Sequence, residues 1–118
     1  MKKGVLYLIP VPLAPEGLRQ TATISLPHIA QIRHFIVENT RSARRFLRAV
    51  DPEFPIDDTV FEEMDKHAGY SFDEKIFKYA DEGFDIGVLS EAGCPAVADP
   101  GHRVVAAAHL HGLLVKPL

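Results

Sequence analysis

Residues 86–101 read Ile-Gly-Val-Leu-Ser-Glu-Ala-Gly-Cys-Pro-Ala-Val-Ala-Asp-Pro-Gly. Ile86 to Ser90 is a short, nearly continuous apolar run, the pattern of a strand covered on both faces by helices, as in parallel sheets. The loop after it is built from small residues, two glycines and two prolines. Asp99-Pro100-Gly101 then opens a helix predicted from about 102 to 111, which Gly112 closes. Strand, small-residue loop and helix in this order form half of a strand–helix–strand crossover.

The rest of the chain repeats that unit. Val5 to Ile9, His34 to Val37 and Leu113 to Val115 also read as buried strands, and Thr59 to Met64, more polar, reads as an edge strand. The prolines at 10, 12 and 15 end the first run and make Pro10 to Pro15 a loop leaving the first strand. Arg41 to Val50 places Ala43, Phe46, Leu47 and Val50 on one side of a helix that Asp51-Pro52 ends. Ser71-Phe72-Asp73-Glu74 fits a capping box for a helix from about 72 to 82, with Ile76, Phe77 and Ala80 as its apolar stripe and Gly83 at its C-terminal turn. Pro27 to Arg33 suits a shorter helix feeding the second strand. Strands alternating with helices at this spacing predict an α/β fold, with a mostly parallel sheet of about five strands between helices on both sides.

Composition is consistent with one such unit. The chain has 118 residues, 47% of them apolar and 25% charged, the balance of a globular domain. A chain of this size hides roughly two-thirds of its unfolded surface, enough to need no staple. Cys94 is the lone cysteine, so no internal disulfide forms. The run Val5 to Ile9 is shorter than a secretory leader's core and far below the ~20 residues of a membrane span. A cytoplasmic location without membrane association is the expectation.

In an open parallel sheet, ligands bind beyond the carboxyl ends of the strands. Three loops qualify: Pro10-Val11-Pro12-Leu13, Glu38-Asn39-Thr40-Arg41, and the segment after Ser90. In the last, small side chains let a ligand approach the main chain, which suits an adenosine or amino-acid moiety better than bare phosphate. The same composition also suits a tight connection with no ligand. No G-x-G-x-x-G or P-loop pattern is present, so nicotinamide and nucleoside-triphosphate enzymes are disfavoured. Cys94 lacks an evident histidine partner and reads as a turn filler. Histidines 28, 34, 67, 102, 109 and 111 show no ligand spacing, so no metal is expected, and Asp57-Asp58 and Glu62-Glu63 read as solvated pairs.

Charge is sharply segregated. Residues 1–50 carry eight Lys/Arg against Glu16 and Glu38, residues 51–85 carry twelve Asp/Glu against three lysines, and the remainder balances. Arg41, Arg44, Arg45 and Arg48 fall on one helix face, opposite the apolar stripe, with no acidic residue between 39 and 50. Guanidinium forks make bidentate bonds to phosphate, so this face is the candidate contact for a polyanion such as RNA; an ordinary solvated face is the other reading.

Three segments together carry a family resemblance: Gly4 to Leu13 (Gly-Val-Leu-Tyr-Leu-Ile-Pro-Val-Pro-Leu), Phe35 to Leu47 with its Glu38-Asn39-Thr40-Arg41, and Val88 to Arg103 with Ser90-Glu-Ala-Gly-Cys-Pro and Asp99-Pro-Gly101. In order and spacing they resemble the N-terminal half of the tetrapyrrole (corrin/porphyrin) methylase family. They are most similar to the branch that methylates the 2'-hydroxyl of a cytidine in small-subunit ribosomal RNA. Glu91 stands where that branch has aspartate, Cys94 where it has threonine, Asn39 where it has aspartate, and Pro12 to Gly17 replaces a loop richer in glycine and asparagine.

The resemblance implies a Rossmann-like, three-layer N-terminal lobe of a class III methyltransferase, spanning residues 1–118. It also implies methyl transfer from S-adenosylmethionine, a homodimer, and a second lobe, outside this chain, without which the lobe catalyses nothing. Its cofactor-contacting residues would be Ser90, Glu91, Ala92, Gly93, Cys94 and Pro95, with Pro10 nearby. Two rivals stay open: a methylase of a tetrapyrrole or other small molecule, and a non-catalytic RNA-binding module. No general base is identifiable from the residues.

Overall fold

The computed structural model describes residues 2–11, 27–91 and 100–118. Five strands form one sheet: β1 (Val5–Val11), β2 (His34–Val37), β3 (Val60–Glu63), β4 (Ile86–Glu91) and β5 (Leu114–Pro117). Every pair is parallel, in the order β3-β2-β4-β1-β5, so the predicted α/β sheet is present with the polar strand at one edge. Among the described residues, helices α1 (Thr40–Val50), α2 (Phe77–Asp81) and α3 (Pro100–Leu110) pack on it, and helical residues 27–29 precede β2. No helix among the described residues is long and apolar enough to cross a membrane.

The three layers follow from strand alternation. Ile9, Phe35, Val37 and Leu89 face α1 through Ala43, Phe46, Leu47 and Val50, and Ile29, Ile32, Phe54 and Ile56 complete that core. Leu6, Ile36, Ile86 and Val88 face the other way, onto Ile76, Phe77 and Ala80 around α2 and Val104 and Ala108 of α3. α2 and α3 end alike. Gly83 and Gly112 take positive φ (98° and 81°), Phe84 N–H reaches back to Tyr79 O (2.9 Å), and Leu113 N–H reaches back to Ala108 O (2.9 Å). These are the paired bonds of a Schellman turn, which needs a left-handed residue.

Three boundaries depart from the sequence reading. β1 runs through Pro10 to Val11, past the proline at which the sequence pattern ends it. Leu8 C=O accepts from Leu118 N–H (2.9 Å), so the backbone groups of even-numbered β1 residues face β5, whose pairing with β1 ends at Leu8. Pro10 is the next even residue, so its nitrogen faces away from β4 and its missing N–H costs no bond in the β1–β4 ladder. The capping box at Ser71 is not used: Ser71 bridges Asp65 in an antiparallel pair, and Glu62 Oε2 accepts from Asp73 N–H (3.2 Å), holding 71–73 out of the helix. Asp73 instead caps a 3-10 turn at Glu74–Ile76 by accepting from Lys75 N–H (2.9 Å), and α2 starts only at Phe77. The helix predicted over 27–33 ends at 29, yet Ile29 and Ile32 are both fully buried.

At the centre of the sheet Gly87 lies beneath the Phe35 ring. A Cβ there would sit 2.8 Å from Phe35 Cδ1 and Cε1 and 3.0 Å from Ile9 Cδ1. Gly87→Ala therefore forces the ring off its seat and is expected to cost about 1–3 kcal/mol, read as a lowered urea midpoint with unchanged m-value; an unchanged midpoint would refute the packing argument.

His34 is the buried polar residue of the core. Its ring, 8% exposed, stacks on Tyr79 (centroids 4.0 Å apart), and its Nδ1 has no hydrogen-bond partner. Burial holds its pKa below the ordinary value, with the Glu82 carboxylate partly opposing. The unfolded chain thus takes up this proton first. Stability tied to neutral His34 is complete above about pH 6.5 and falls as pH drops below it. Between pH 7.5 and 5.5 the urea midpoint should fall more in the natural chain than in His34→Leu, and equal falls would contradict this.

Candidate functional site

The chain's direction of travel across the sheet reverses between β2 and β4. From β2 it moves outward to β3 by way of α1 on one face, and from β4 it moves the other way to β5 by way of α3 on the opposite face. A crevice opens where the two connections part, at the carboxyl ends of β2 and β4.

A pocket of ≈ 150 Å³ occupies that crevice, lined by Val11, Val37, Glu38, Asn39, Ser42, Ala43 and Leu89. Its walls are the tips of β1, β2 and β4 and the first turn of α1. It is smaller than the roughly 300–1,000 Å³ of a pocket for a drug-sized molecule, so it holds a ring or a short chain rather than a whole cofactor. A second cavity of ≈ 310 Å³ lies toward β3, lined by Glu38, Asn39, Glu63, Met64, Asp65, Lys66 and His67. Glu38 and Asn39 wall both.

Two of the first three N–H groups of α1 are held by neighbouring side chains. Asn39 is the N-cap and its Oδ1 accepts from Ser42 N–H (2.9 Å). Glu63 Oε1, reaching over from β3, accepts from Thr40 N–H (2.7 Å) and from the Thr40 hydroxyl (3.1 Å). A carboxylate and an amide oxygen therefore already hold the place that a helix N-terminus offers to an anion. Glu38 is different: its Oε2 is shielded from solvent and meets no hydrogen-bond donor.

Of the residues singled out from sequence for a cofactor, the structure brings Pro10 and Ser90 together, directly paired at the rim, with Val11 opposite Glu91 one step further. Pro10 is exposed there. Because Val37 pairs with Leu89, Glu38 follows at the level of Ser90 and Pro10. Ala92, Gly93, Cys94 and Pro95 lie outside the described residues. Sequence reasoning singled out the loop that begins at Glu38 but gave this side chain no role, and the available signal was a carboxylate following an apolar strand without a turn residue between.

Arg41, Arg44, Arg45 and Arg48 are all exposed on α1, opposite its buried stripe, as the spacing predicted. Among the described residues none forms an ion pair, since the bridges present are Lys3 and His111 with Asp81. Arg44 lies over the Phe61 ring, 6.0 Å from its centroid. Among the described residues, the remaining three guanidiniums have no side-chain partner.

Comparison with known proteins agrees with this geometry. The chain is 34% identical over 118 residues to the ribosomal RNA small subunit methyltransferase I of Micromonospora olivasterospora, an alignment covering 98% of this chain and 34% of that protein. It is 26% identical over 116 residues to the protein of the same name from Halalkalibacterium halodurans (98% and 38%), and 26% identical over 102 residues to that of Bacillus subtilis (86% and 32%). The chain is a homologue of these methyltransferases. The resemblance carried by its three segments is thereby borne out. It spans about a third of the length of the curated relatives it matches. No family model matches it.

The cap at Asn39 holds the helix that carries both the pocket wall and the arginine face. Asn39→Ala should lower stability by about 1 kcal/mol, within the usual range of about 0.5–2 for a lost N-cap, measured by urea denaturation; no loss would show that Glu63 alone sets the start of α1.

Proposed function

We propose that the chain is the N-terminal lobe of an S-adenosylmethionine-dependent methyltransferase that acts on ribosomal RNA. The observation that carries this reading is a juxtaposition: one helix, α1, walls a largely aliphatic pocket at the switch point with its first turn and presents an arginine face along its exposed side, in a homologue of ribosomal RNA methyltransferases. The residues present fit a nucleoside-bearing methyl donor. Aliphatic side chains of Val11, Val37, Ala43 and Leu89 offer a surface for a ring, and no lysine or arginine lines the pocket among the described residues.

In this reading Pro10, Ser90, Glu91, Ala92, Gly93, Cys94 and Pro95 hold the cofactor, which when bound supplies an electrophilic sulfonium methyl. Arg41, Arg44, Arg45 and Arg48 grip phosphates of the RNA and fix the position of the target nucleotide. The protein's contribution is then mainly orientation, which lowers the entropic part of the barrier. A second lobe closes the site from the other side, the working form is a cytoplasmic homodimer, and this lobe alone binds cofactor weakly without turnover.

Double replacement Arg44→Glu/Arg45→Glu tests the RNA face. Each phosphate contact contributes roughly one unit to the salt dependence of binding, so the variant should bind a small-subunit ribosomal RNA fragment at least about tenfold more weakly, with a slope against log salt reduced by about two. Titration with S-adenosylhomocysteine should be unaffected. RNA binding that survives the change refutes the face; RNA binding without any S-adenosylhomocysteine binding in the complete enzyme favours a non-catalytic module, and the converse favours a small-molecule methylase.

A further inference from the structure

We infer that Glu38 makes the switch-point pocket selective for a nucleoside without phosphate, by accepting a hydrogen bond from its ribose and repelling an anion. This rests on the methyl-donor reading only in so far as that donor is such a nucleoside. Three observations support it.

The first is the orphan oxygen. A carboxylate offers acceptors only, and Glu38 Oε2 is buried with no donor to meet it. Buried polar atoms are nearly always paired, so a ligand donor is the missing partner. The terminal torsion of a glutamate is broad, so a partial turn of the carboxylate presents Oε2 to the pocket at little cost. A ribose carries two hydroxyls able to donate.

The second is charge. The pocket lining contains Glu38 and no cation among the described residues. Lys66 and His67 line the neighbouring cavity, on the other side of Glu38. A phosphate placed in the switch-point pocket would face a carboxylate with nothing to offset it, and like charges brought together in a partly desolvated site are disfavoured. The third is the state of the adjacent helix end. In phosphate-binding α/β folds the free N–H groups of such a helix take the anion. Here Thr40 N–H is held by Glu63 and Ser42 N–H by Asn39, so two of the first three N–H groups of that device are already taken within the protein.

The test uses the 118-residue chain and three probes, adenosine, S-adenosylhomocysteine and adenosine 5'-monophosphate, with dissociation constants measured by ligand-observed NMR up to millimolar concentration. Adenosine and S-adenosylhomocysteine should bind at least about tenfold more tightly than the monophosphate, an energetic difference of about 1.4 kcal/mol. In Glu38→Gln, which keeps the size of the side chain and removes its charge, the preference should shrink to about threefold or less; a matching amide fingerprint in two-dimensional NMR confirms that this variant is folded. Equal binding of the monophosphate by the natural chain, an unchanged preference in Glu38→Gln, or no binding of any probe would each overturn the inference. Preference for adenosine with no binding of S-adenosylhomocysteine would uphold Glu38 and sink the methyl-donor reading. Binding of S-adenosylhomocysteine with no effect of Glu38→Gln would do the reverse.

Discussion

The seat of Phe35 on Gly87 governs the geometry of the whole molecule. β4 is paired on both sides, with β2 and β1, and its one residue without a side chain lies where the Phe35 ring must pass to reach Ile9. Phe35 in turn meets Phe54 and Phe61, at centroid distances of 6.0 and 5.9 Å, so this ring ties the three central strands to the edge strand and to the segment below α1. The face that carries α1 is assembled around it, and α1 carries both the pocket wall and the arginines. The approach of one ring to one bare backbone position thus sets where the site stands.

Much of this was legible from residue order because a parallel sheet covered on both faces leaves a blunt signal. Ile86 to Ser90 and His34 to Val37 have no polar alternation to misread, and Thr59 to Met64 betrays its edge position through Glu62 and Glu63. The glycines at 83 and 112 mark helix ends for a local reason, their left-handed turns. What escaped was set by partners distant in sequence. Pro10 stays in β1 because its nitrogen faces away from β4, more than seventy residues on, with which β1 goes on pairing. Ser71 fails as a cap because Asp65 and Glu62 engage its surroundings first.

The site was legible by location more than by residue. The rule that parallel sheets bind at their carboxyl rim pointed to the three loops, and Pro10 and Ser90 do meet there. The arginine spacing translated directly into an exposed face because a helix imposes its own periodicity. Glu38 could not be weighed in the same way. Its significance lies in the lack of a donor near Oε2, and such a lack is a property of three-dimensional surroundings. Glu63 is similar: its sequence reads as half of a solvated acidic pair, yet it works as part of the start of α1.

The two margins of the sheet have a further consequence. β3 and β5 are four residues each; β3 ends in Glu62-Glu63, and β5 carries Lys116 and Pro117. An unpaired strand border invites a foreign chain to add itself by backbone hydrogen bonding, and brevity, charge and proline all discourage that addition.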